Sequence, residues 1–300
     1  MKKNMIKKKV DFFSVGLLLM LCVYVVVMLA MLLWAFFTSL KTYPQFRLDN
    51  LGLPKGKPWE WAWKNYSDAF EFFNVPNIPV GDGTTRTVYL TEMFLYSFLY
   101  AGGCSFFAAL IPCITAYATS RYAFRFSKII YTLVIVVMAL PIVGSLPAEI
   151  TVARTFNIYG KIWGVWILKA NFLGMYYLVF HAYFKGISKE YYEAAYLDGA
   201  GEYRIFMSIV LPLVKNIFFT VMLIKFIEFW NDYQTPLIYT PNYPPVAYGL
   251  YRFHESSDGK ANWPTNQITA SMLMMIPTLI LFIIFHNKLI GNISMGGVKE

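Results

Sequence analysis

The sequence predicts an all-α, polytopic integral membrane protein with six transmembrane helices, and three observations carry that reading. Hydrophobic residues make up 57% of the 300 positions and charged residues only 14%, against roughly 25% charged in soluble domains. Apolar runs at 12–38, 93–119, 129–148, 162–184, 209–230 and 268–290 each approach or exceed the about 20 residues that a helix needs to span hydrocarbon. Between the fourth and fifth runs lies a stretch, 188–215, too charged for the bilayer: an Asp, Lys or Arg at a helix centre costs roughly 2.5–3.5 kcal/mol on insertion. No polar interval is long enough for a separate soluble domain, so residues 1–300 read as one transmembrane domain.

The first run follows Lys2, Lys3, Lys7, Lys8 and Lys9. It exceeds the roughly 7–15 apolar residues of a signal-peptide core and no small-residue cleavage site follows, so a retained first membrane helix is expected. With the N-terminus placed in the cytoplasm, that side carries fourteen Lys and Arg residues close to the spans, and the opposite side carries ten spread over much longer loops. The positive-inside rule then puts both termini and 188–215 on the cytoplasmic face of the cell membrane. The formal charge of +9 is thereby a topology signal and not a nucleic-acid footprint.

The first external loop, 41–92, is rich in Pro, Gly and aromatic residues. Trp59, Trp61, Trp63 and Tyr66 suit anchoring at the membrane interface and also stacking on sugar rings, and a helix lying on the surface is expected over 61–73. The stretch 81–86, GDGTTR, lacks the phosphate-binding GxxxxGK[ST] pattern and reads as a turn. In the second run Gly102 and Gly103 allow close packing and Pro112 predicts a kink. In the third, Pro141 and Pro147 bracket 142–146, so its outer half should bend or unwind, which membrane proteins tolerate where backbone is buried in protein or lines a cavity. Cys22, Cys104 and Cys113 all lie in apolar runs and read as small buried hydrophobes, with no disulfide framework and no metal-binding spacing.

The fourth run holds Lys169 and Asn171, and the fifth holds Lys225 and Glu228. Ionisable groups at membrane depth point to function by default. Lys225 and Glu228 are three residues apart on one helix face, so a translocation path and a structural ion pair are both open. Lys169 has no acidic neighbour in sequence and should face water or another helix. After the fifth run, Trp230, Asn231 and Asp232 offer an indole face, an amide and a carboxylate, a set suited to a carbohydrate and equally to an anchored helix end.

Within 188–215, Ser188 is placed to cap a short helix over 189–197, Gly199 and Gly201 can supply the positive φ that ends it, and a second helix should start near Glu202 and be kinked or broken by Pro212. The residues Glu193-Ala194-Ala195, three more, Gly199, nine more, Ile209, one more, and Leu211-Pro212 reproduce every fixed position of the EAA-x3-G-x9-I-x-LP motif. At these residues the chain resembles the membrane permease subunits of binding-protein-dependent ABC importers. The resemblance implies the type I ABC importer permease fold, with 188–208 as a cytoplasmic coupling loop. In it Glu193 is the contact to the ATPase, Ala194 and Ala195 the close-packing surface and Gly199 the turn; Ile209, Leu211 and Pro212 complete the motif. It also implies partners: a second homologous permease subunit, two ATP-binding cassette ATPase subunits, an external solute-binding protein and membrane lipid, with no nucleic acid. ATP and Mg would be bound by the ATPases, and this chain would bind no cofactor.

Trp230-Asn231-Asp232 resembles an element of sugar-importer permeases, and the tail 291–300, GNISMGGVKE, resembles that of the smaller maltose-type membrane subunit, so a sugar substrate is expected. The last external loop, 241–265, has the length to reach a binding protein. One departure is local: where sugar-permease relatives often continue LPL-x-KP, this chain has Lys215-Asn216, which predicts a straighter fifth helix beyond the motif. A permease for another solute, an ion-coupled secondary transporter built on Lys169, Lys225 and Glu228, and a structural membrane protein are the alternatives; no internal repeat supports the second. Three histidines without an HExxH pattern, and the lack of a Walker A lysine or a GxSxG elbow, leave no basis for an enzyme.

Overall fold

The computed structural model describes residues 12–80, 83–122, 124–140, 144–255 and 263–294. In chain order it contains α1 (Phe12–Ser39), α2 (Tyr43–Leu48), α3 (Lys64–Phe72), the strands β1 (Asn74–Val80) and β2 (Thr84–Tyr89), α4 (Leu90–Arg121), α5 (Arg125–Ala139), α6 (Leu146–Thr155), α7 (Ile162–Lys169), α8 (Met175–Lys185), α9 (Lys189–Leu197), α10 (Glu202–Ile205), α11 (Leu211–Trp230), α12 (Gln234–Tyr239), α13 (Val246–Glu255) and α14 (Pro264–Ser294). The fold is mostly helical.

Among the described residues four helices are long and apolar enough to cross a membrane: Val15–Ser39, Leu90–Arg121, Glu202–Trp230 and Pro264–Phe285. The third expected span ends as α5 at Ala139 and resumes as α6 at Leu146, in keeping with the bend expected between Pro141 and Pro147, whereas the interruption of the fourth was not expected. α5 has 15 residues, or about 22 Å at 1.5 Å per residue, against a hydrocarbon core of about 30 Å. It stops just before Pro141, and α6 starts with Pro147 in its first turn, where a missing N–H costs no helix bond. The fourth run breaks between Lys169 and Met175 into α7 and α8, at a segment containing Asn171 and Gly174.

The fifth helix differs in the opposite sense. A helix begins at Glu202, as expected, and it runs on into the apolar run at 209–230 without a break at Pro212, because a π-helical turn at Phe206–Val210 joins α10 to α11. In an α-helix the Pro212 ring would press on the carbonyl of Ser208 and leave it without a donor; one wider turn removes that clash. α4 likewise runs unbroken through Pro112.

Around the stretch 81–86, which reads in sequence as a turn, the residues Asn74–Val80 and Thr84–Tyr89 pair as an antiparallel hairpin, so the chain is not purely helical. Pro76 and Pro79 obscure its alternation in the sequence. The register slips between Val75 and Ile78, and Asn77 takes a positive φ of 58° there, a conformation Asn accepts more readily than most residues. Val75, Ile78 and Val88 are buried, and Phe73 beside them packs on Phe253 of α13 at 5.2 Å between ring centroids.

The described chain divides into two compact units. The first comprises 12–72 and 263–273. Asn65 of α3 donates from Nδ2 to the carbonyls of Ser39 and Lys41, at 2.7 and 2.9 Å, Thr269 of α14 donates to the same Ser39 carbonyl, and Tyr43 stacks on Trp263 at 4.6 Å. Trp61 and Trp63 pack edge-on against Phe37 and Phe36 of α1, and Trp59 and Trp63 remain exposed. α1 itself has no buried residue in its most apolar window, and Cys22 on it is exposed, unlike Cys104 and Cys113.

The second unit comprises 73–255 and 274–294, and α4 is its centre, packed along α11, α8 and α7. The small side chains of Ala101, Cys104, Ala108, Ala109, Cys113 and Ala116 are buried on it, so neighbouring backbones approach closely. Two apolar clusters result. One joins α4 to α8, α9 and α11 around Tyr177, Phe180 and Val214, and the other joins α4 to α7, α11 and α12 around Tyr100, Val165 and Trp230.

Adjacent glycines on α4 meet different surroundings. A Cβ on Gly103 would lie 2.1 Å from the Trp166 ring, whereas one on Gly102 would meet no atom within 4 Å. Trp166 cannot easily retreat, because its indole N–H donates to the Leu99 carbonyl at 3.0 Å. Gly103→Ala should therefore lose about 1–3 kcal/mol to overpacking, read as a lower thermal unfolding midpoint in detergent, with Gly102→Ala close to wild type. Equal midpoints for the two variants would contradict this packing.

Candidate functional site

The segment 188–215 folds as a capped helix, a turn and a second helix. Ser188 Oγ accepts the Glu190 amide at 3.3 Å and so caps α9. Gly199 has φ 75° and supplies the reversal; Gly201, expected to share that role, is extended with φ −74° and ψ 163°. Glu193 and Ala194 are exposed, but Ala195 is only 6% exposed and belongs to the core beneath α9. The two small residues are thus unequally exposed, with Ala194 open and Ala195 mostly covered by the chain's own core. Leu211 and Pro212 are exposed, whereas Ile209 is half-buried against the same core. Ala194, Ala195, Asp198, Arg204, Ser208 and Ile209 help to line a cleft of about 630 Å³ beside α9.

Behind the motif lies a cluster that the sequence reading missed. The Arg121 guanidinium, at the end of α4, sits 4.1 Å over the Tyr192 ring and 5.9 Å from that of Tyr196, and its Nη2 donates to the Tyr196 hydroxyl at 3.4 Å. Tyr196 donates in turn to Glu202 Oε1, and Tyr122 donates to Glu202 Oε2 at 2.5 Å. Burial, and then the bond to Glu202, push the Tyr122 phenol above its usual range, so it stays a protonated donor at neutral pH. The signal available in the sequence was the four-residue spacing of Tyr192 and Tyr196, which puts both rings on one face of α9.

The residues proposed for a substrate path meet different fates. Lys225 pairs with Glu228 at 2.8 Å, and its ammonium lies 5.2 Å from the centre of the Tyr176 ring. Of the two readings open for Trp230, the structure favours the anchored helix end over a sugar-stacking surface: it is 1% exposed, its N–H donates to the Met274 carbonyl at 3.1 Å, and Phe94, Phe98 and Phe226 surround it. A residue this apolar and this large is drawn into the core once its one polar atom has a partner. Asn231 is exposed and donates to the Ile227 carbonyl. Asp232 accepts from the Tyr100 hydroxyl at 2.8 Å and from the Thr235 amide at 3.1 Å, so it ties the end of α11 to α4 and to the first turn of α12.

Asn171 is exposed within the break between α7 and α8. Lys169 is half-buried just before that break, and its charge acts on Glu149 and on Cys104. Glu149 is itself held by the hydroxyls of Ser145 and Tyr239, at 2.7 and 2.9 Å. Tertiary folding thus brings Lys169 an acidic neighbour twenty residues away in sequence. Among the described residues no group of three or more His, Cys, Asp or Glu side chains could hold a metal ion.

Residues 108–294 match the family model described as "Binding-protein-dependent transport system inner membrane component". The chain belongs to that family. It is a membrane transport component, consistent with its four long apolar helices. The chain is 20% identical over 280 residues to the diacetylchitobiose uptake system permease protein NgcG of Streptomyces coelicolor, covering 92% of this chain and 86% of that protein. It is 24% identical to the melibiose/raffinose/stachyose import permease protein MelC of Bacillus subtilis, covering 81% and 83%, and 29% identical to the maltodextrin transport system permease protein MdxG of the same organism, covering 63% and 68%. In fold it resembles a chain from the crystal structure of a bacterial ABC transporter involved in the import of the acidic polysaccharide alginate, with a TM-score of 0.73, 16% identity, and coverage of 95% and 99%.

The burial of Trp230 yields a direct prediction. Trp230→Ala should cost about 3–5 kcal/mol through the cavity it leaves, seen as loss of folded protein from detergent extracts, without a selective change in substrate affinity of what remains. Wild-type yield and thermal midpoint together with a weakened substrate KM would restore the stacking role.

Proposed function

We propose that this permease forms half of the translocation path of an ATP-driven sugar uptake transporter, and that 188–208 is its coupling loop on the cytoplasmic face. The observation that carries the reading is the exposed Glu193–Ala194 face of α9, presented on a helix with a capped start, a positive-φ stop, and a continuous helix of 29 residues, Glu202–Trp230, beyond it. A carboxylate on a rigid, open helix face suits a basic contact on a partner, and the absence of a break after Glu202 lets a push on the loop travel into the membrane as a rigid-body movement. The sugar assignment is supported by the names of NgcG, MelC and MdxG. Another solute is the second reading, favoured by a 27% identical relative from Yersinia pestis, the sn-glycerol-3-phosphate transport system permease protein UgpE.

In this account a second homologous permease completes the path, two ATPase subunits bind ATP and Mg and perform hydrolysis, and an external solute-binding protein delivers substrate. This chain supplies a path and a lever and does no chemistry of its own. Both termini lie in the cytoplasm. The ion pair of Lys225 with Glu228 is structural, since each charge already has its counter-charge, and this weakens the case for ion-coupled transport.

In proteoliposomes holding the assembled transporter, uptake of a panel of radiolabelled oligosaccharides should require ATP and be indifferent to dissipated ion gradients. Glu193→Lys should abolish uptake while leaving the permease in the membrane at its normal level. Uptake driven by an ion gradient without ATP would contradict the proposal, as would normal uptake by the Glu193→Lys variant.

A further inference from the structure

We infer that Arg121, Tyr196 and Glu202 act as positioning residues for transport, forming a clasp that makes the coupling segment and α4 move as one body. The inference rests on the coupling role proposed for α9, but it concerns residues outside the family motif and a different task, transmission in place of docking.

The clasp joins three pieces of chain that would otherwise be held by few polar contacts. Arg121 belongs to α4, Tyr192 and Tyr196 to α9, and Glu202 to α10 at the foot of the long fifth helix. The bonds form a closed chain: Arg121 to Tyr196, Tyr196 to Glu202, and Glu202 to Tyr122, which immediately follows Arg121. A ring of charge-assisted bonds fixes relative position better than any single contact, because each member is held from two sides. Tyr192, buried under the guanidinium, adds a cation–π contact from the same helix.

Arg121 also retains capacity. Among the described residues its buried Nε has no hydrogen-bond partner, although an arginine carries five N–H donors. Beyond the clasp, Tyr117, one turn earlier on α4, meets Phe184 of α8 and Phe206 of the π-helical turn at 5.5 and 5.0 Å. Displacement of α9 therefore reaches α4 through the clasp, and reaches α8 and the fifth helix through rings already packed on α4. Energetic coupling of this kind requires such a contiguous set of contacts with a defined geometry.

The test uses the complete transporter in nanodiscs, in a Cys22→Ser background that removes the exposed native thiol, with the ATPases bound and spin labels at Leu197→Cys on α9 and Leu95→Cys near the far end of α4. Both positions are exposed. In the otherwise native protein the inter-label distance should be single and unchanged by MgATP with vanadate. In Tyr196→Phe combined with Glu202→Gln, the ATPases should still co-purify, but the distance should broaden and shift when nucleotide is added. Losing a bond to a charged group of this kind corresponds to about a tenfold rise in the population with the clasp open. Tyr196→Phe alone removes a single oxygen and reports in the same direction should the double variant fail to accumulate.

A distance that stays narrow and nucleotide-independent in the clasp variants would overturn the inference, as would a nucleotide-dependent shift in the native background. Failure of the ATPases to co-purify with the native permease would instead defeat the coupling reading on which it rests. Arg121→Lys keeps the charge but loses the planar fork that spans the rings and the hydroxyl, so it should behave as an open clasp; a narrow distance in that variant also counts against the inference.

Discussion

The close approach of other helices to α4 is the constraint on which the second unit depends. A row of Ala, Cys and Gly along this helix lets α7, α8 and α11 pack tightly on it, and in a bilayer such packing, not water exclusion, holds helices together. Polar contacts fasten the helix toward each end. Tyr100 holds Asp232 at the junction of α11 and α12, and Arg121 with Tyr122 holds the segment that carries the EAA motif. Between these two fastenings the buried contacts are largely apolar, with the hydroxyls of Thr119 and Tyr177 joined at 2.7 Å.

The motif's small residues are not equally placed. Glu193 and Ala194 face outward, where a partner can reach them, while Ala195 is spent on the chain's own core. The reason is helical geometry: successive residues lie about 100° apart around a helix with 3.6 residues per turn, so two neighbouring alanines cannot both occupy the centre of one face. The motif is thus recognisable in sequence as a unit, although its two alanines are covered to different degrees on a short helix.

Much of the architecture was legible because it rests on local chemistry. The charged stretch, its Ser188 cap and the Gly199 reversal follow from residue preferences, and the long apolar runs follow from composition. What escaped notice rests on contacts distant in sequence. The hairpin at 74–89 was hidden by two prolines, and the continuity of the fifth helix past Pro212 depended on a π-helical turn that has no simple sequence signature. For Trp230 a sugar platform and a helix anchor were equally open, because nothing in the chain near it shows that Met274 supplies a carbonyl for its indole. Lys169 has no acidic neighbour in sequence, and its charge reaches Glu149 only in the folded chain; in the cluster of Arg121, Tyr196 and Glu202 the outermost members are 81 positions apart.

The central claim is that α9 is a cytoplasmic surface on which an ATPase sits. The most direct measurement is the labelling of Ala194→Cys, in a Cys22→Ser background, by a membrane-impermeant maleimide. The account predicts rapid labelling in inside-out vesicles stripped of ATPase, protection when the ATPase subunits are added back, and no labelling from outside intact cells. Labelling from the outer face, or labelling from the inner face that bound ATPase leaves unchanged, would contradict it.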